Sequence, residues 1–282
     1  MEIFHTVDEI VQKLSSFKEK NLKIGFVPTM GALHKGHLSL INKAKAENEI
    51  VVCSIFVNPA QFNNKTDLNN YPRTIESDIK DLILVDCDIV FTPSEKEIYP
   101  SPDTDTSVFE LGNLDKLMEG KFREGHFNGV AKVVSRLFQI IEPHRAYFGE
   151  KDFQQLAIIK YFVKKYHISV EIIPCSTVRE ADGLAMSSRN VLLGHEERKI
   201  APIIYKTLVE AKEMSEKYSF GKIKFFVEET IKKYPDIQLE YFEIVDAETL
   251  EVVSDFNNHT PIVACLAIYL GKVRLIDNIK FL

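Results

Sequence analysis

The sequence carries no excess of positive charge. Its formal net charge is −6, and both halves of the chain share the deficit. A nucleic-acid-binding domain normally has a basic footprint, so nucleic acid is not an expected partner. Any anionic ligand must be met by a local cluster of cations. Closely spaced cysteines are missing as well. Cys53, Cys87, Cys175 and Cys265 form no C-x-x-C, which sets aside a thioredoxin-like redox motif, a zinc ribbon and a disulfide framework. Three of them lie inside apolar runs and Cys87 borders one, so they read as buried free thiols in a reducing compartment. Long hydrophobic runs are absent. The longest, Ile262–Leu270, falls well short of the ~20 residues of a membrane-spanning helix. The first residues include His5, Asp8 and Glu9 where a signal peptide would be apolar. Repeats and low-complexity tracts are lacking too. The expectation is a cytoplasmic protein with no membrane association.

What is present is globular in character: 45% hydrophobic and 27% charged residues over 282 positions, enough for two domains of unequal size. Thr6 and Glu9 have capping-box spacing, and Val7, Ile10, Val11 and Leu14 follow at helical period, predicting a helix to about residue 20. Apolar runs over 23–27, 50–57, 87–91, 146–148 and 170–173 read as strands. Helices are expected over 37–47, 75–85 and 153–165, and Val130, Val133, Val134, Leu137, Phe138 and Ile141 mark a strongly amphipathic one. Residues 62–71 read as an exposed loop and 93–102 as irregular. Alternating strands and helices predict an α/β fold with a parallel sheet covered on both faces. Past about residue 176 the pattern changes to helices over 196–217 and 222–233, then strands over 238–245, 261–270 and 273–276. The expected architecture is a Rossmann-like parallel-sheet N-terminal domain (1–176) and a smaller α+β C-terminal domain (177–282).

Five polar segments stand at predicted strand ends or loops. Residues 23–37 read K-I-G-F-V-P-T-M-G-A-L-H-K-G-H: a strand, then a loop with Gly31 and Gly36, then a helix. Free N–H groups at a helix N-terminus welcome an anion, and His34 and His37 could both reach a phosphate there. On the glycines alone a plain βα turn with surface histidines fits equally well, since the loop is neither G-x-G-x-x-G nor Walker A. Asn58 and Gln61 follow the second strand; their amides suit hydroxyls and a carboxylate, although an Asn-Pro turn can simply stop a strand. Arg123 and His126 precede the amphipathic helix, and Arg123 can fork onto an anion. Gly149, Glu150, Lys151, Asp152 and Gln155 lead from strand end into helix; Lys151 can neutralise phosphate and Gln155 lies one turn beyond it. Met186, Ser187, Ser188 and Arg189 have the make-up of a mobile phosphate clamp, although as an isolated loop such a run usually carries no function.

Taken in order, these segments resemble one family. His34-Lys35-Gly36-His37 is similar to the H-x-G-H signature of the nucleotidyltransferase superfamily that includes class I aminoacyl-tRNA synthetases. Residues 186–189 resemble its second, K-M-S-K-S-type signature. With the other three segments and the closing R-L-I-D-N of residues 274–278, the whole chain resembles the pantothenate synthetases (pantoate–β-alanine ligases). The resemblance implies a homodimeric enzyme with ATP, pantoate and β-alanine as substrates and Mg²⁺ accompanying the ATP. It implies a pantoyl-adenylate intermediate, with AMP and pyrophosphate as products. It makes His34, His37 and Lys151 catalytic. Met30, Gly31, Ala32, Leu33, His34, Lys35, Gly36, His37, Gly149, Glu150, Lys151, Asp152, Val178, Met186, Ser187, Ser188 and Arg189 form its nucleotide site. Gln61 and Gln155 would bind pantoate, with Asn58, Arg123 and His126 nearby. No motif fixes a metal ligand; Asp78 is a candidate on residue type alone. Rival readings are a transferase that keeps the nucleotide on its product, a tRNA synthetase, which the short acidic chain disfavours, and a silent binding protein, which the intact cluster disfavours.

Overall fold

Alternate residues of the apolar runs point to opposite faces of a sheet, and both faces are buried. The computed structural model describes residues 1–101, 108–255 and 261–281, so the last residue of the proline-bearing stretch 93–102 lies outside the described residues. In chain order the first part comprises β1 (Glu2–Phe4), α1 (Val7–Lys18), β2 (Ile24–Thr29), α2 (Lys35–Glu47), β3 (Ile50–Ile55), α3 (Lys65–Asn70), α4 (Ile75–Leu84), β4 (Ile89–Phe91), α5 (Glu95–Ile98), α6 (Glu119–Phe122), α7 (His126–Ile141), β5 (Arg145–Gly149), α8 (Phe153–Lys165) and β6 (Glu171–Cys175). Then follow α9 (His195–Ile200), α10 (Ile203–Met214), α11 (Phe220–Ile231), β7 (Ile237–Asp246), β8 (Ile262–Leu270) and β9 (Val273–Lys280).

The first six strands form one parallel sheet, ordered β1-β4-β3-β2-β5-β6. Phe26 and Val52 point into a core built with Ile10 and Leu14 of α1 and the apolar stripe of α7. Their neighbours Val27, Val51 and Cys53 point into the opposite core with Leu40, Ile41 and Ala44 of α2 and Leu82 of α4. Two-sided burial is what makes the strands read as continuous apolar runs. The second sheet, β7-β8-β9, is antiparallel. One of its faces packs on α10 and α11. Its other face sends Val245, Val263 and Cys265 against Phe127, Ile158 and Phe162, so an apolar core joins the two sheets. All four cysteines are free and buried, as expected.

From β2 the chain steps outward through β3 and β4, then returns to the other side of β2 for β5 and β6. The order therefore reverses between β2 and β5, the position where such sheets open a crevice beyond their carboxyl ends. The pairing is uneven there. β2 stays in register with β3 through Thr29–Ile55, but its ladder to β5 ends at Phe26–Ala146. Pro28, without an N–H, cannot carry that ladder on.

Several expectations are corrected. The segment 62–71 is largely exposed, as expected, but it is not a plain loop: Asn64 caps α3 by accepting from Thr66 N–H, and Tyr71 is buried against Phe62 in a T-shaped pair. Glu95–Ile98 is a helical turn within a stretch read as irregular. The single helix expected over 196–217 is broken at Pro202, which has no N–H for a continuous helix and stands as the N-cap of α10. Pro174 does not close its strand, because β6 is an edge strand and a missing N–H on the free side removes nothing. β1 and α6 were not anticipated; three- and four-residue elements carry too little periodicity to read.

Gly129, inside α7, lets the 3₁₀ turn Pro59–Gln61 press onto the helix. A Cβ at Gly129 would lie 2.2 Å from Ala60 O and 2.6 Å from Gln61 N. Alanine gains about 1 kcal/mol in helix propensity, but the atoms met are backbone, and overpacking costs about 1–3 kcal/mol. The clash should win: Gly129→Ala is expected to lower the urea midpoint. A midpoint equal to or above that of the native chain would contradict this packing.

Candidate active site

β2 ends in a bend that needs unusual backbone. Gly31 (φ +79°) and Ala32 (φ +50°) are successive left-handed residues, and for alanine that conformation is strained. The bend is held from inside by Asp78 of α4, which is 1% exposed. Its carboxylate accepts from Ala32 N (2.9 Å), Leu33 N (2.8 Å) and Thr74 Oγ1 (3.0 Å). Thr29 adds a second brace, donating to Ser54 O and accepting from Gly31 N. The bend delivers His34 as the N-cap of α2, where its Nδ1 accepts from Gly36 N at 3.1 Å. His37 follows on the first turn, with ring centroids 4.0 Å apart.

This fixes the histidines' protonation. Burial, and then the Lys151 cation, push His34 down to about 4. Burial, His34 and Lys151 hold His37 well below its ordinary value. Both rings are neutral near pH 7. Because His34 Nδ1 is an acceptor, its proton sits on Nε2, which is left to donate. His37 Nδ1 is buried and meets no protein partner among the described residues.

The crevice is a cleft of about 210 Å³, open to solvent. Pro28, Met30, His34, Gly36 and His37 form one wall; Gly149, Lys151, Asp152 and Gln155 face them from β5 and α8. Lys151 has no ion-pair partner among the described residues. Val130, Val133, Val134 and Leu137 of α7 give an apolar floor, with Asn58 and Gln61 at one side. Gln61 is 7% exposed and gripped at every end. Its Nε2 donates to Met30 Sδ (3.2 Å), its Oε1 accepts from Asn58 Nδ2 (3.0 Å), and its backbone oxygen accepts from His126 Nδ1 (2.7 Å). Asn58 also donates to Gly129 O and accepts from Tyr99 Oη.

The clamp loop crosses to this wall. Ser188 Oγ donates to Ala32 O at 2.9 Å, and Arg189 reaches Asp67 at 3.1 Å over the Tyr71 ring. Ser187 caps the 3₁₀ turn Ser188–Leu192 through Arg189 N. Buried Met186 pairs its N–H with Val178 O, and both line the cleft.

Most residues singled out from sequence thus converge, in different capacities. Gly31, Ala32 and Leu33 supply the bend rather than the wall, Lys35 is exposed, and Glu150 is turned to Lys280. Arg123 pairs with Glu119 and lines an adjoining cleft, while His126 lies behind Gln61. Asp78 is committed to backbone N–H groups. Ser176, Thr177 and Tyr71 line the cleft unannounced. The first two directly follow β6, a position that marks the carboxyl edge. Nothing local to Asp78 or Tyr71 signals their reach.

A neutral-donor crevice at a strand-order reversal places the chain among α/β enzymes that handle phosphate-bearing substrates beyond the carboxyl edge of a Rossmann-like sheet. More narrowly, it belongs to the pantoate–β-alanine ligase family, whose model matches residues 2–280. It is 49% identical to the pantothenate synthetase of Bacteroides fragilis over 281 residues, covering 100% of this chain and 99% of that one. Identity to the Porphyromonas gingivalis pantothenate synthetase is 50%, with the same coverage. The crystal structure of Thermus thermophilus pantothenate synthetase superposes with a TM-score of 0.93 at 41% identity, covering 100% of this chain and 99% of that one. Francisella tularensis pantoate-beta-alanine ligase, complexed with beta-gamma ATP and beta-alanine, matches with a TM-score of 0.83 at 40% identity, covering 100% and 98%.

Burial of neutral histidines has a pH signature. His126 is pushed down to about 3 by burial and by Arg123, and His34 and His37 are depressed as above. Below about pH 6.5 the unfolded chain binds protons that the folded chain refuses. The stability these residues confer is present above that pH and lost as pH falls toward 4. His126→Asn keeps a donor to Gln61 O and removes the titration. Its unfolding free energy should fall less steeply between pH 6 and 4.5, by about 1.4 kcal/mol per pH unit. Parallel pH profiles for the two proteins would contradict a buried neutral His126.

Proposed function

We propose that the chain joins (R)-pantoate to β-alanine in two steps, with ATP as the activating substrate. A pantoate carboxylate oxygen attacks the α-phosphorus of ATP; the new O–P bond forms as the bond to the β-phosphate oxygen breaks, and pyrophosphate leaves. The β-alanine amine then attacks the acyl carbon, the C–O bond to the phosphate breaks, and AMP leaves with the oxygen that pantoate brought. The observation carrying this reading is the pair of neutral histidines at the β2 bend facing, across the crevice, Lys151, which has no ion-pair partner among the described residues. The Francisella relative's ATP and β-alanine ligands support both as substrates.

No protein nucleophile is needed, because a carboxylate is already nucleophilic. The protein must orient it and meet charge as it develops. His34 offers Nε2–H to a phosphate oxygen, His37 meets the same group, and Lys151 opposes them as a cation. Met30, Gly149, Asp152 and Val178 surround the nucleotide. Ser187, Ser188 and Arg189 close on the triphosphate, for which Arg189 exchanges Asp67. Gln61 and Gln155 take pantoate, with Asn58 and His126 keeping Gln61 aimed and Arg123 facing the adjoining cleft. Among the described residues there is no group of three His, Cys, Asp or Glu that could cage a metal. Asp152, the one carboxylate lining the cleft among the described residues, would hold Mg²⁺ arriving on the triphosphate, an ion that keeps much of its water. Bound there, the ion would neutralise phosphate charge. In this reading residues 1–176 hold nucleotide and pantoate, and 177–282 supply the clamp. The family resemblance and the four buried free thiols favour a homodimer in the cytoplasm, which sedimentation and fractionation test.

Two measurements check the reading. His37→Ala, a change at a loop–helix junction, should leave the chain folded and slow pantoate-dependent pyrophosphate release by about two orders of magnitude. Near-native release would sink the role. Gln61→Leu should impair both pantoate use and aminolysis of supplied adenylate, because each partner left unpaired in a desolvated site costs about 1–3 kcal/mol. Gln155→Leu should impair only pantoate use. Identical behaviour of the two variants toward β-alanine would contradict the placement of Gln61 between the acids.

A further inference from the structure

The closing R-L-I-D-N segment has no part in the chemistry described so far, yet it reaches the active site from behind. Asn278 lies on β9, 7% exposed. Its side-chain Nδ2 donates to two consecutive main-chain carbonyls, Glu150 O and Lys151 O, each at 2.9 Å. These belong to the turn that links Gly149, at the end of β5, to α8, and Lys151 is the cation facing the histidine pair. We propose that Asn278 is a positioning residue for the adenylation step: it holds the Glu150–Lys151 turn so that both carbonyls face β9 and the Lys151 side chain faces the crevice.

The residue is itself fixed. Its backbone N–H donates to Asp277 Oδ1 at 2.8 Å. Asp277, 3% exposed, takes both arms of Arg179, at 2.6 and 2.9 Å. The Arg179 guanidinium lies 3.6 Å from the Tyr205 ring centroid and also donates to Gly183 O. On the β6 side of the turn Glu150 N donates to Cys175 O, and on the β9 side the Glu150 carboxylate pairs with Lys280. The turn is thus pinned between β6 and β9. The chemistry asks for this residue type. A neutral side chain of this size with two N–H donors on one nitrogen is asparagine; aspartate is isosteric but has only acceptors to offer two carbonyl oxygens. A carbonyl rotated into the crevice would set its negative end against phosphate and swing Lys151 away. Displacing a catalytic group by about 1 Å can cost on the order of 100-fold. The C-terminal part of the chain would then govern the first half-reaction through the backbone of Lys151, besides carrying the clamp.

This inference rests on the adenylation reading, and the test separates the two. Pantoate-dependent pyrophosphate release is measured on the full chain for the native protein, Asn278→Ala, Lys151→Ala and the double variant, with Asn278→Ser as a variant that keeps one donor. The native rate tests the reading itself. If Asn278 acts through Lys151, Asn278→Ala slows release at least tenfold, Asn278→Ser lies between, and the double variant stays within threefold of Lys151→Ala. A general structural role would multiply the two single losses. Multiplied losses, or an Asn278→Ala rate within threefold of native, would overturn the proposal. Should Asn278→Ala fail to fold, the same cycle run with Asn278→Ser decides it by the same criterion.

Discussion

The site depends on one buried carboxylate. Asp78 sits in the first turn of α4, where a negative charge is favoured by the helix, and it turns away from the crevice into the β2 bend. A carboxylate withdrawn from water is costly unless its oxygens are met; here two backbone N–H groups and a hydroxyl meet them. In return, the carboxylate stabilises a left-handed alanine that the chain would otherwise avoid. Everything on that wall follows from the bend: the cap made by His34, the tilted packing of the His37 ring against it, and the carbonyl of Ala32 on which Ser188 docks. The opposite wall is built on the same plan. There the turn bearing Lys151 is held by partners from outside the parallel sheet.

Between these walls the electrostatics are uneven. Two histidines that burial keeps neutral face a lysine that has no ion-pair partner among the described residues. A protonated pair would bind phosphate tightly in the ground state. In the proposed reading, neutral N–H donors instead gain most when charge builds at the reacting phosphorus, above a floor of apolar α7 side chains. The one arginine of the 186–189 segment is held by Asp67; in the proposed reading that internal partner is exchanged for phosphate.

Much of this was legible in the sequence, and the limits of legibility have a physical pattern. The parallel sheet was readable because two-sided burial writes itself as uninterrupted apolar runs, as in β2 and β3. The long α7 stripe was readable because one face of it is core. The crevice residues were readable where they sit directly at strand ends, as with His34, Asn58 and Lys151. What escaped were contacts closed by the tertiary fold. Asp78 meets the bend from 46 positions away in sequence, Asn278 meets Lys151 from 127, and His126 sits behind Gln61 rather than beside the cleft. α3 escaped for a different reason: its polar residues gave no periodicity, and it is set in place by its cap at Asn64, the burial of Tyr71 and the Arg189–Asp67 pair.

The central claim is that a pantoate carboxylate oxygen attacks the α-phosphorus held at the β2 bend. Isotope transfer tests it most directly. Pantoate labelled with oxygen-18 in its carboxylate is turned over with ATP and β-alanine, and the phosphorus-containing products are resolved by mass. Attack by the carboxylate predicts one labelled oxygen in the AMP phosphate and none in pyrophosphate. Label in pyrophosphate or orthophosphate, or AMP free of label, would contradict it.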